Sequence, residues 1–317
     1  MINRTLVRTK VVQTLFAHYY EEDNTLLSAK KNLLGSFADT YSLYMLMLDF
    51  VNEMVAAAED KIAFEEERAK VRHEAYTPNM NFVNNRFATQ IFNNRQLRAY
   101  MDENHLGWDA AHESLRILWK QIQNSECYQD YMKIDEPTYD DDKQIWRKIV
   151  TDVLADNEEL NTALEELEVA LDRKGWTTDV NVVLSYVVKT IKRFQEENAG
   201  GQPLLEMFDS EDELNFGKLL LKATIDNHEE YVALIEEHLK NWEIHRIAYM
   251  DLIILQTALA EIINFPNIPL EISMNEYLEI AKEYSTDKSH QFINGILDEI
   301  VRKLKKENKL LKAVVLD

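Results

Sequence analysis

Apolar side chains recur at helical spacing along almost the whole chain. In residues 5–20 the positions Val11, Val12, Leu15, Phe16 and Tyr19 share one stripe, as in an amphipathic helix with one face toward a core. A long helical stretch follows over 27–70, with Leu43, Leu46, Met47, Phe50, Val51 and Met54 as its apolar seam. The pattern breaks over 76–85 around Pro78. It resumes near 86–103, 108–125 and 142–155, and again over 157–172 and 179–196. Asn198-Ala-Gly-Gly-Gln-Pro203 is the clearest linker signal, because paired glycines end a helix and proline resists restarting one. Helices are expected beyond it near 209–239, 243–263, 273–284 and 288–308. The pattern predicts an all-α protein, with an expanded N-terminal helical subdomain over 1–200, a C-terminal helical subdomain over 201–310 and a tail at 311–317.

Three of the later helices carry more than a period. The one over 246–263 is apolar on almost every face, so it belongs at the centre of its bundle. Asp251 falls within that apolar surface, where an unpaired carboxylate is costly; it must be paired, solvated at the bundle edge or covered by a partner. Ser273-Met-Asn-Glu276 has the form of a capping box and predicts a helix start there, after Pro266 and Pro269. In the last helix the stripe is Ile293, Ile296, Leu297, Ile300 and Leu304, which leaves Phe292 half exposed and Gly295 on the opposite face. Glycine inside a helix costs about 1 kcal/mol relative to alanine, and core packing does not call for it at that position. Close approach of another backbone, of RNA or of a neighbouring helix of the same chain would.

Composition narrows the class. Only 7 glycines and 5 prolines in 317 residues disfavour sheet-rich folds and glycine-rich phosphate loops. The single Cys127 excludes an internal disulfide or a multi-cysteine zinc site, and reads as an inert thiol in a reducing cytosol. No apolar run is long enough to span a bilayer, and the first twenty residues lack the apolar core of a signal peptide, so a cytoplasmic protein without a membrane partner is expected.

The net charge of −21 opposes nucleic-acid binding as a sum, but its distribution is uneven. Residues 1–20 carry Arg4, Arg8 and Lys10 and no acid, and 301–312 carry six basic residues against Glu307 alone. Any RNA contact is thereby confined to local patches, although basic residues in a last helical turn also simply complement the helix dipole.

Catalytic chemistry has no foothold in the motifs. Asp102/His105 and Asp109/His112 have the spacing that puts both side chains on one helical face, but no matching glutamate set accompanies them. His112-Glu113 and His228-Glu229 are not followed by the second histidine of a zinc-protease helix, and the run Asp140–Asp142 fits a helix start. Dinucleotide, nucleophile-elbow and P-loop patterns are absent. No enzyme activity, metal, cofactor or small-molecule substrate is expected.

One ordered set of strings is specific. It comprises Asn241-Trp-Glu-Ile-His-Arg-Ile247, Asp251-Leu-Ile-Ile-Leu255, Ala258-Leu-Ala-Glu261, Ile268-Pro269, Met274-Asn-Glu276, Glu279-Ile-Ala-Lys282 and Ser289-His-Gln-Phe-Ile-Asn-Gly-Ile-Leu-Asp298. Together with the opening Arg4, Arg8 and Val11-Val-Gln-Thr-Leu-Phe16, this set resembles the NusB family of transcription antitermination factors. The resemblance covers about 213–305 and the first twenty residues; 23–205 lies outside it. It implies two packed helical bundles without catalysis or cofactor. It also implies binding of boxA-type RNA alongside the ribosomal protein NusE, within a transcription elongation complex supporting ribosomal RNA synthesis. By match, it suggests Arg4, Arg8, Gln13, Phe16, Lys282, Ser289, His290 and Phe292 for RNA, and Asp251 for NusE. The alternative is a helical protein-interaction scaffold that keeps the fold and holds a basic partner on its acidic surface. NusB-like domains fused to RNA methyltransferases are a third case, and the glycine-rich loop and reactive cysteines such an enzyme needs are missing here.

Overall fold

The computed structural model of the protein describes residues 1–20, 25–239 and 244–310. Regular structure among them is helical throughout, with no strand. In chain order the helices are α1 (Arg4–Tyr20), α2 (Leu26–Arg72), α3 (Arg86–Phe92), α4 (Arg95–Asn104), α5 (His112–Asn124), α6 (Glu126–Tyr131), α7 (Tyr139–Lys148), α8 (Glu158–Leu171) and α9 (Trp176–Arg193). They continue with α10 (Glu211–Asp226), α11 (His228–Glu237), α12 (Tyr249–Asn264), α13 (Leu270–Tyr284) and α14 (Ser289–Lys306). No helix among the described residues is long and apolar enough to cross a membrane. The tail 311–317, Lys312 and the Asn241–Glu243 part of the matched strings lie outside the described residues.

The chain forms two compact units that divide it differently from 1–200 and 201–310. Residues 1–37 cluster with those from 207 onward, and 38–206 make a unit of their own. The physical reason lies in α1, whose stripe Val7, Val11 and Leu15 is completely buried. Its complement comes from helices at the far end of the chain. Where α1 meets α10, a Cβ on Gly217 would sit 2.9 Å from Val7 and 3.4 Å from Phe37, so the crossing needs a residue without a side chain. The backbone N–H of Ile2 also donates to the carbonyl of Met207 (2.8 Å).

Several helices are shorter than the apolar period suggests, and asparagine is the usual cause. The stretch 86–103 is two helices, because the Asn94 side chain accepts from the Leu97 N–H and caps a new one. The stretch 209–239 also divides, at Asn227, whose side-chain amide donates to the Ala223 carbonyl. α13 begins at Leu270 after Pro269, one turn ahead of the capping box expected at Ser273. Ser273 lies inside the helix, fully buried, and its hydroxyl is used elsewhere.

The unit over 38–206 has its own core. Trp108, Trp146 and Trp176 are fully buried in it, and Phe82 packs against Trp119, Tyr128 and Trp146. The run Asp140–Asp142 does start a helix: Thr138 and Asp141 form a reciprocal capping box at α7. Asp142 goes further inward, accepting from the Tyr131 hydroxyl (2.6 Å) and from the backbone and side chain of Arg86.

Candidate functional site

α12 is the central helix of the first unit, and it buries two carboxylates. Phe16 meets Tyr249 while Arg8 meets Glu261, so α1 runs antiparallel to α12. Ser273 meets Glu261 while Ser285 meets Asp251, so α13 is antiparallel to α12 as well. The ends of these helices therefore sort into two levels, one around Glu261 and one around Asp251.

At the Glu261 level, Arg8 is 2% exposed and Glu261 is fully buried. The guanidinium donates twice to the carboxylate, Nε to Oε2 at 2.7 Å and Nη2 to Oε1 at 2.9 Å. Ser273 (2.7 Å) and Tyr277 (3.0 Å) donate to the same carboxylate, and Glu276 lies 3.4 Å from Arg8. Burial would lower the pKa of Arg8, but the hydrogen bonds and charge of Glu261 reverse this and hold it above its ordinary value. Burial, then Glu261, pushes the Tyr277 hydroxyl well above its usual range, so it stays a donor. Arg8, expected at the RNA surface, is thus sequestered in this structure. Its guanidinium ties α1 to α12 and α13. The sequence held a sign of this, since Arg8 lies four and seven residues before Val12 and Leu15, on the apolar face. Arg4, one turn earlier, is exposed and sits over the Phe216 ring (5.5 Å to its centre).

At the other level, Asp251 is 5% exposed and accepts from the hydroxyls of Ser285 (2.5 Å) and Ser289 (2.9 Å). Of the three fates open to it, the structure gives the first: it is paired. Expected at NusE, its carboxylate has both oxygens engaged inside the fold in this structure. Ser289, expected at RNA, is likewise buried; it is the first residue of α14, and its hydroxyl also meets those of Ser285 and Thr286. The neighbours of Ser289 point outward instead. His290 and Phe292 are partly exposed, and Lys282 is exposed and paired with Glu279 (2.6 Å). Gly295 is exposed, and a Cβ built on it meets nothing within 4 Å. No neighbouring helix among the described residues accounts for that glycine.

The same level carries an aromatic cluster. Phe16 packs against Tyr20 (5.1 Å between ring centres) and Tyr249 (5.6 Å), and Tyr20 is 69% exposed. Gln13, one turn before, is half-buried. The helix rise puts Arg4 about 18 Å from Phe16, so the structure brings Phe16 to the level of Asp251 and leaves Arg4 at the opposite one. Sequence reasoning missed Tyr20, Tyr249 and Glu261. For Glu261 the signal was available: an acid on a helix that is apolar on nearly every side needs a buried partner, as Asp251 does. Among the described residues no group of three or more histidine, cysteine or acidic side chains is placed to hold a metal ion.

Comparison with known proteins gives the chain its relatives. The model of the NusB family matches residues 181–302. A transcription antitermination protein NusB from Natranaerobius thermophilus is 36% identical over 115 residues, which are 35% of this chain and 81% of that protein. The chain belongs to the NusB family. Other NusB proteins match over shorter shares of their length. The one from Salinibacter ruber is 41% identical over 98 residues (31% of this chain, 61% of the relative), and the one from Chloroherpeton thalassium 38% identical over 94 residues (30% and 44%). The chain therefore spans less than two thirds of these two relatives. The solved structure of T. maritima NusB is 28% identical, covering 38% of this chain and 88% of its own, with a TM-score of 0.29. The NusB match extends upstream of α10 into α9, and the rest of 38–206 lies outside it.

Proposed function

We propose that the protein is a transcription antitermination factor that binds boxA-type RNA together with the ribosomal protein NusE. The RNA lies across the start of α14. The observation that carries this reading is Gly295. It is a glycine in the middle of a helix, exposed, with nothing among the described residues within 4 Å of where a Cβ would stand, one turn after Phe292 and within the family-like string. Its cost of about 1 kcal/mol relative to alanine is explained if a partner must approach the helix backbone there. The buried Ser289–Asp251 bond holds that helix start in place, while Phe292 offers a ring on which an unpaired base can stack. Lys282 and His290 supply the polar rim, and Tyr20 and Tyr249 extend the aromatic surface. Arg8 acts only by positioning α1.

The test is affinity for a boxA-type oligonucleotide, with and without NusE, in the wild type and in Phe292→Ala. Loss of one stacked base is worth about 1–3 kcal/mol, so binding should weaken by roughly tenfold or more. Undiminished binding rejects the assignment of this surface. Binding to neither RNA nor NusE, with the same protein partners captured from nuclease-treated lysate, would favour the scaffold reading instead.

A further inference from the structure

A second feature of the first unit lies at the level opposite Phe292. An open cleft of about 580 Å³ runs between α10 and the turn that joins α12 to α13. This is within the range of small-molecule sites. Its apolar lining comes from Phe216, Phe265 and Ile268, with Phe216 and Phe265 meeting edge to face (5.2 Å). Leu219 stands 56% exposed beside them. Arg4 sits over the Phe216 ring, and its guanidinium borders the cleft. Four asparagines (215, 227, 264 and 267) supply amides around it. Asn264 donates inward to the Tyr231 hydroxyl (2.9 Å), whereas Asn215 and Asn267 are exposed and their side chains make no hydrogen bond among the described residues.

Charge decides between occupants. Arg4 and Lys222 are offset by Asp212 and Asp226, and Lys222 is paired with Asp226. A balanced cleft does not favour a bare anion, and it does not favour a strongly basic peptide. A planar, uncharged group rich in donors and acceptors fits it. Nucleobases are such groups: proteins stack unpaired bases on aromatic rings and guanidinium planes, and read their edges with amides. We propose that this cleft is a nucleobase site. An unpaired base enters beside the Arg4 guanidinium, its edge read by Asn215 and Asn267, with the attached phosphate left outside at Arg4. The inference rests on the RNA-binding reading above and adds a second point of contact, on the far side of the unit from Phe292.

Two experiments on the full chain test it. In the first, adenosine and uridine 5′-monophosphates and ribose 5-phosphate are titrated into isotope-labelled protein, and the side-chain amide resonances of Asn215 and Asn267 are followed. Saturable shifts with at least one nucleotide, and none with ribose 5-phosphate, are expected. Equal shifts with ribose 5-phosphate would reduce the cleft to a phosphate contact, and absence of shifts with either nucleotide would overturn the site. In the second, affinity for the boxA-type oligonucleotide is compared in Asn215→Ala/Asn267→Ala and in Phe292→Ala. The double substitution should weaken binding about tenfold, as expected for a lost base-edge contact. If Phe292→Ala weakens binding and the double substitution does not, the cleft is rejected while the RNA reading stands. If the wild type binds no RNA, that reading itself fails.

Discussion

The two ends of α12 each bury a carboxylate, and they differ in what surrounds it. Glu261 is enclosed by an arginine, a serine and a tyrosine drawn from α1 and α13, with Arg8 reaching it from 253 residues away in sequence. Asp251 is held by two hydroxyls, both from the short turn and helix start that also present His290, Phe292 and Gly295. One acid closes the unit by joining the two ends of the chain. The other fixes the position of a surface. Family-like residues occur at both levels, so membership in a matched string does not say whether a residue builds the fold or meets a partner. Burial and partners decide that.

The sharpest way to break this contrast is Glu261→Ala. It leaves the Arg8 guanidinium buried without its main partner, which typically costs about 3–5 kcal/mol. Urea denaturation should show the midpoint fall accordingly, and a loss below about 1 kcal/mol would mean that α1 is held mainly by its apolar stripe. The smaller effect is expected at the other end. Asp251→Ala removes a charged acceptor from two serine hydroxyls that keep each other and Thr286 as partners, a cost of about 1–3 kcal/mol. Its distinguishing consequence is functional: at a temperature where the unit stays folded, the variant should bind boxA-type RNA more weakly, because the start of α14 is no longer fixed. Unchanged affinity would separate the Asp251 knot from the surface it is said to position.

Much of the fold was legible in the residues. The stripes of α1, α12 and α14 appear where the helical period puts them, and the Asp140–Asp142 run does start a helix. What the period could not convey was partnership over distance. It placed Arg8 on the apolar face of α1, but the acid that makes this tolerable lies on α12. It read Ser273 as a cap because a serine three residues before a glutamate has that form. The serine instead lies inside α13, because Pro269 starts the helix earlier and Glu261 needs a donor. It also joined α10 to α11, since a single asparagine that satisfies the preceding carbonyls leaves the apolar period intact. The candidate surface was half legible: Phe292 and Gly295 were marked by being out of place on their helix, whereas Tyr20 and Tyr249 come together only when α1 and α12 pack antiparallel.

The central claim is that the exposed backbone of α14 at Gly295 is kept bare for a partner. Gly295→Ala tests it directly, with two readings from one protein. Alanine fits the open space and suits a helix interior better, so the variant should gain up to about 1 kcal/mol in stability. Its affinity for boxA-type RNA in the presence of NusE should nevertheless fall, because the added methyl group stands where the partner approaches. A more stable protein that binds RNA as well as the wild type would contradict the account.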